Sequence, residues 1–332
     1  MESGCHPVFA GNEWQQDYIK KSIGGIETIH LDGYQVRYAT HPSMLLPALL
    51  KQMPALIQKV KDEHQWLNKI VLERRIDGIL SDNRYGLHHA QIPSVLITHQ
   101  LQIKTGLGRL SDSLLQRLHY RFINRFSACW VVDEPSEINL SGDLAHPASL
   151  PNCTTYIGLL SQFEPQESFF QKHLLVLLSG PEPQRSILSE RLWKEVLQIQ
   201  QPIVFVEGSS SAPTPFQIPE HITYRKLLTY SELLPVFNEA SLVICRSGYS
   251  TLMDLVALKK PAIVIPTPGQ TEQLYLAKHL HRTGVFFHVS QNDINLKKQL
   301  ATARDFSFLQ PDFKESFQRH RAVLSHWIST IN

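Results

Sequence analysis

Short apolar runs, most of them continuous, alternate with longer amphipathic stretches along this whole chain, and that rhythm restricts its fold more than any other feature. Residues 8–10, 76–80, 95–98 and 129–132 are such runs, and 174–178, 203–206, 242–245 and 262–265 repeat the theme. A strand with one face in water alternates apolar and polar side chains; a strand covered on both faces can be apolar throughout. The runs therefore predict sheets with helices on both sides. The stretches 44–60, 107–126, 186–199, 231–239, 251–258 and 271–283 fit those helices. Strand–helix–strand repetition implies parallel sheets with right-handed crossovers, an α/β doubly wound design.

At 332 residues the chain is long for one such unit and comfortable for two. The boundary is expected within 149–167, which holds Pro151, Gly158 and Pro165 and little helical periodicity. That gives a first domain over 1–160 and a second over 161–310. The last segment, 311–332, carries a helical stretch with no strand after it, so it must dock on something already formed. The opening is unusual. A doubly wound domain normally begins with a central strand and a ligand-facing turn, but Glu2-Ser3-Gly4 reads as a helix end and 6–10 as the next strand. The first strand is expected either to lie upstream or to be missing from this domain.

Composition removes several classes of function. Thirty-two basic against 30 acidic side chains, a net charge of +2, leave no basic field for nucleic acid. The cysteines, Cys5, Cys129, Cys153 and Cys245, are scattered and form no CxxC pair, so a disulfide scaffold is not expected and a reducing cytoplasm is. Among sixteen histidines no HExxH occurs, and His279 and His281 stand two apart, on different faces of a helix. No apolar run approaches the roughly 20 residues a membrane-spanning helix needs, and the first residues lack a signal peptide's pattern.

The sharpest chemical signal is Cys245-Arg246-Ser247-Gly248-Tyr249-Ser250-Thr251-Leu252-Met253-Asp254. A strand ends in a small-residue turn and a helix begins, so unpaired backbone N–H groups and the positive end of the helix dipole suit a diphosphate without metal. Asp254, on the first turns of that helix, could accept both hydroxyls of a ribose. The segment 251–254 is equally a capping-box pattern that merely starts a helix. The next unit strengthens the ligand reading: the run 262–265 leads into Pro266-Thr267-Pro268-Gly269-Gln270-Thr271-Glu272-Gln273 and another helix. Gln270 and Gln273 can each donate and accept, as sugar hydroxyls require. A rigid proline turn would explain the prolines but not the paired amides.

The stretch 224–281 closely resembles the donor-binding half of GT-B glycosyltransferases of family 28. The Arg246-Ser247-Gly248 turn, the acid at Asp254 and the glutamine at Gln273 match that family's nucleotide-sugar motif. The resemblance implies a GT-B fold, two doubly wound domains facing a cleft. It implies that Ser247 and Gly248, with Ser250 and Thr251 behind them, meet the diphosphate of a UDP-sugar, that Asp254 meets the ribose and that Gln270 or Gln273 meets the transferred sugar. Weaker likeness covers most of the rest, including Ser81 to Gly86 and Thr98-His99-Gln100 on the acceptor side, and implies that the closing helix crosses back to the first domain. There are departures. At 178–183 a family glycine-rich loop is replaced by a stretch with one glycine and an acid, so phosphate contact by Ser179 or Gly180 is a weaker expectation and Glu182 would repel a diphosphate unless turned away. The family's first-domain glycine-rich loop with its histidine base is not in the sequence.

No Asp-x-Asp occurs, so no metal is expected and the leaving diphosphate would rest on a helix N-terminus and Arg246. A base must still deprotonate the acceptor hydroxyl. Asp82 and His99 each follow an apolar run and would face the cleft; each is also readable as an ordinary loop residue. Finally, Arg109, Arg117, Arg121 and Arg125 recur at multiples of four beside an apolar stripe of Leu110, Leu114, Leu118, Phe122 and Phe126. Such a helix could lie on anionic lipid or simply present a solvated basic face over the core. The expectation is a cytoplasmic, membrane-peripheral, inverting and metal-independent glycosyltransferase whose acceptor is open, a lipid-linked one among the candidates. A nucleotide-sugar 2-epimerase and a non-catalytic donor-binding subunit are the rival readings.

Overall fold

A computed structural model describes residues 4–33, 45–103, 108–164 and 171–331. Met44, Leu107 and Pro165, used above to bound a helix, a second helix and the linker, lie outside those residues. The first half comprises β1 (Val8–Gly11), α1 (Glu13–Ile23), β2 (Glu27–His30), α2 (Leu45–Arg74), β3 (Ile79–Asp82), β4 (Ser94–Thr98), α3 (Arg109–Ile123), β5 (Ala128–Val131) and β6 (Thr154–Tyr156). The second comprises β7 (His173–Leu177), α4 (Gln184–Val196), β8 (Ile203–Val206), β9 (Ile222–Arg225), α5 (Tyr230–Glu239), β10 (Ala240–Cys245), α6 (Tyr249–Ala257), β11 (Ala262–Val264), α7 (Thr271–Arg282), β12 (Phe287–His288), α8 (Leu296–Arg304) and α9 (Ser316–Ile331).

All strand pairings are parallel. In the second half β12-β11-β10-β7-β8-β9 form one six-stranded sheet, with β7 and β10 at its centre. Their side chains are almost wholly buried, as expected where helices cover both faces. The first half is built differently: β3-β4-β5-β6 make a four-stranded sheet, and β1-β2 pair apart from it as a ribbon. The ribbon is held by packing, not by a ladder: Ala10 and Leu31 meet Leu67 and Val71 of α2 and Ile79 of β3.

One apolar core runs through both halves, joining Val95 and Trp130 of the first sheet to Val243, Leu252 and Met253 of the second. The closing helix α9 seals it. Trp327 meets Trp130 edge-on at 5.8 Å, and Arg319 pairs with Glu134 at 2.9 Å. The chain enters this junction at Gly158, whose φ of +78° and closeness to the Ser316 carbonyl leave no space for a Cβ. The four cysteines are free, and no helix among the described residues is long and apolar enough to cross a membrane.

Candidate functional site

Parallel sheets leave their chemistry at the carboxyl ends of the strands, and here the two sheets bring those ends together. A cavity of about 460 Å³ lies between them, a size typical of small-ligand sites. From the first half it is lined by Asp82 at the end of β3, Thr98 and His99 at the end of β4, and Val132 beyond β5. From the second come Tyr249, Ser250, Met253 and Asp254 of α6, with Ser161 and Gln162 of the connecting chain completing the wall.

The loop between β10 and α6 is rigid for reasons of hydrogen bonding. Arg246 is 1% exposed. Its guanidinium donates to the carbonyls of Ile265 (3.3 Å), Pro266 (3.2 Å) and Gln184 (2.7 Å), so it braces this loop against the next loop and the start of α4. Burial lowers its pKa to about 10. As placed, Arg246 holds backbone instead of facing a diphosphate. Ser247 is also fully buried, its hydroxyl donating to the Gln273 carbonyl at 2.9 Å. What remains open is the helix end itself. Gly248 caps α6 with no side chain over the first-turn N–H groups, and a Cβ placed there would meet nothing within 4 Å. Ser250, on the first turn, lines the cavity.

Asp254 reaches the cavity as the sequence suggested, but its carboxylate already has partners. Oδ1 accepts from the Ser161 hydroxyl at 2.6 Å and Oδ2 from the Gln162 side-chain amide at 3.0 Å. Burial raises its carboxyl above the ordinary range, against the opposing effect of those hydrogen bonds. Gln273 Oε1 accepts from the Thr267 backbone N–H at 2.9 Å, which shapes the loop before α7; Gln270 is the N-cap of that helix. Ser179 and Gly180 follow β7, beyond its carboxyl end. The acid beside them does turn away: Glu182 folds onto the first turn of α4, accepting from the backbone N–H and hydroxyl of Ser186 and pairing with Arg185. Burial opposes its ionisation, but the Ser186 and Arg185 contacts outweigh it and hold the carboxyl below its usual range.

On the opposite wall, enclosure raises the Asp82 carboxyl, with His99 acting in the other sense. His99 lies flat on Tyr249, ring centroids 4.4 Å apart and planes 8° from parallel, and its Nε2 is 2.8 Å from Glu272 of α7. Tyr249 donates its hydroxyl to the Val132 carbonyl at 2.9 Å. Tyr249, Glu272, Ser161 and Gln162 escaped the sequence reading. Glu272 sits inside the glutamine-bearing segment and Tyr249 inside the segment that carries Arg246-Ser247-Gly248; Ser161 and Gln162 become visible only once segments about 90 residues apart are folded together. Along α3, Leu114 is 69% exposed, and Arg117, Arg121 and Arg125 are exposed beside it. The side chain of Arg109 lies outside the described residues.

Comparison with known proteins fits this geometry. The solved structure of MurG from Acinetobacter baumannii superposes with a TM-score of 0.57 at 14% identity, covering 99% of this chain and 92% of that one. The kitacinnamycin glycotransferase gives 0.65 at 14% over 99% and 92%. Spinosyn rhamnosyltransferase SpnG complexed with thymidine diphosphate gives 0.59 at 14% over 92% and 88%. The fold is therefore GT-B. Residues 185–323 match the model of the glycosyltransferase family 28 C-terminal domain. Two curated relatives are UDP-N-acetylglucosamine--N-acetylmuramyl-(pentapeptide) pyrophosphoryl-undecaprenol N-acetylglucosamine transferases. That of Caldanaerobacter subterraneus is 37% identical over 76 residues, 22% of this chain and 21% of the relative. That of Pasteurella multocida is 26% identical over 175 residues, 49% of each. The matched stretches thus span half or less of these relatives' length.

Proposed function

We propose that the chain transfers a glycosyl group from a UDP-sugar to an acceptor hydroxyl, with inversion at the anomeric carbon and no metal ion. One observation carries the reading: the unsealed N-terminus of α6 opens into a cavity whose far wall holds a carboxylate and an imidazole. The N–H groups of the α6 first turn would take the diphosphate. The ribose would meet Asp254, its hydroxyls replacing the Ser161 hydroxyl and the Gln162 amide. The sugar would then lie towards Gln270 and Gln273, and the acceptor would enter from the β3 and β4 side. The diphosphate leaves with its charge against the helix dipole, a fixed group that need not reorganise during the step. The uridine is supported by the names of the curated relatives.

Calorimetry with UDP, UDP-N-acetylglucosamine and thymidine diphosphate tests the donor, and UDP is expected to bind tightest. Failure of all three to bind would end the reading. Product analysis with donor alone separates transfer from epimerisation, because an epimerase needs no acceptor. A donor-binding chain without catalysis is the second reading, favoured by the partners already on Asp254 and by the ribbon that stands apart from the first sheet; binding without turnover would select it. The exposed Leu114, Arg117, Arg121 and Arg125 on α3 support peripheral contact with anionic lipid and so a lipid-linked acceptor. Replacing Arg117 and Arg121 by glutamate should abolish sedimentation with anionic vesicles.

A further inference from the structure

His99 leaves β4 at the cavity and is held from two sides by the other half of the molecule. Tyr249 sets the plane of the ring by stacking. Glu272, in the first turn of α7 and 173 residues away in sequence, sets its rotation within that plane by the 2.8 Å contact to Nε2. An ionised carboxylate can only accept, so in the neutral ring Nε2 carries the proton and Nδ1 is the basic nitrogen. Among the described residues no hydrogen bond engages Nδ1. The histidine lines the cavity together with Ser250 and Asp254, so its ring shares the space assigned above to the donor.

We propose that Glu272 is a positioning residue that fixes His99 as the proton acceptor for the incoming hydroxyl, so that the base is assembled only where the two halves meet. This rests on the donor reading above and adds to it the identity of the base and the device that orients it. In the step, the acceptor O–H bond breaks and its proton passes to Nδ1. The oxygen lone pair forms the new bond at the anomeric carbon, and the bond from that carbon to the diphosphate oxygen breaks with its electron pair leaving on the nucleotide. The resulting imidazolium has a carboxylate at Nε2, an arrangement that stabilises it as it forms. Because Glu272 belongs to the loop bearing Gln270 and Gln273, sugar binding and base orientation share one segment.

Two measurements on the full chain test this. In ¹⁵N-histidine spectra, His99 should sit in the Nε2–H tautomer, and Glu272→Ala should convert it to a mixture; an unchanged tautomer in that variant overturns the proposal. Turnover is read as hydrolysis of UDP-N-acetylglucosamine, with water as the acceptor. His99→Gln and Glu272→Ala should each lower kcat by about 10²-fold, the scale of lost general-base catalysis. KM should stay within about twofold. Glu272→Asp should recover most of the rate, and the double variant should be no slower than His99→Gln alone. A Glu272→Ala loss that falls on KM with kcat retained would make Glu272 a sugar contact and refute the positioning role. A UDP-induced rise in Tm in wild type and both variants marks the nucleotide site as intact. Its absence from wild type strikes the donor reading, while the tautomer result still decides the His99–Glu272 pair.

Discussion

Helices α4 and α6 begin in the same setting and end in opposite chemical states. They follow β7 and β10, adjacent strands of one sheet, and both present a first turn of unpaired N–H groups at the strands' carboxyl ends. At α4 the chain supplies its own anion: the Glu182 carboxylate takes the Ser186 N–H and pairs with Arg185. At α6 it supplies nothing, since Gly248 has no side chain to offer and open space in front of it. A helix N-terminus can take a phosphate only where no internal group already holds it. The same sheet can hold one sealed end and one open end a strand apart.

The largest effect should come from the group that keeps the open end in place. Arg246→Met would strip the donor from three backbone carbonyls while leaving an apolar side chain of similar length. Each unpaired buried group costs about 1–3 kcal/mol, so urea unfolding should show a loss of about 3–5 kcal/mol. A near-normal midpoint would mean that the guanidinium braces nothing. Asp254→Ala comes next and should weaken UDP binding by about 1–3 kcal/mol, the range for hydrogen bonds to a charged group; wild-type affinity by calorimetry would remove Asp254 from the site. Gly248→Asp would convert α6 into a copy of α4. Its φ of −73° tolerates any residue, and aspartate is a favoured N-cap, so stability should hold or rise by a few tenths of a kcal/mol. UDP binding should nevertheless fall by about 2 kcal/mol as the new carboxylate takes the N–H groups and repels the diphosphate. Unchanged affinity would place the phosphates elsewhere.

The contrast between the two helix ends was only half legible in the chain. Eight of the strands announce themselves as apolar runs, most of them because both faces are covered, although β1 and β3 are themselves partly exposed edge strands. Those that do not, β2, β6, β9 and β12, each lie at the edge of a sheet, where Glu27, Thr155 and Thr223 can stay polar at no cost. The glycine and the acid of the α6 turn could be read directly, because the turn and the first helical residues are contiguous. The direction of Arg246 could not: its partners lie 19, 20 and 62 residues away, and only folding brings those carbonyls to it. Asp254 was legible as a cavity residue, but not as one whose lone pairs Ser161 and Gln162 occupy from 93 and 92 positions earlier.

Sealing at α4 has its own signature in pH. The folded-state pKa of Glu182 is depressed, so its stabilising effect is present above its ordinary value and disappears as the pH falls through the lower, folded one. Glu182→Gln should cost about 0.5–1 kcal/mol at neutral pH as the cap weakens. It should also flatten the acid side of the stability curve, followed by urea midpoints between about pH 3 and 6. If α6 alone holds the diphosphate, UDP affinity should not change in this variant; tighter binding would show that the second helix end takes phosphate once it is freed.

The last effect is the most telling about Asp254. Its carboxylate can satisfy the connecting chain or a ribose, and the Gln162 amide at 3.0 Å competes directly for one oxygen. Gln162→Ala removes that competitor but leaves Ser161 in place. A hydrogen bond to a charged group is worth about 1.5–3 kcal/mol net, so UDP should bind at least about tenfold more tightly, with a slight loss of stability from the carboxylate oxygen left without the amide. Weaker binding would reverse the assignment: Gln162 would then be a direct contact to the nucleotide, and the Asp254 bond to it would belong to the site's working geometry instead of to a resting state that the donor must displace.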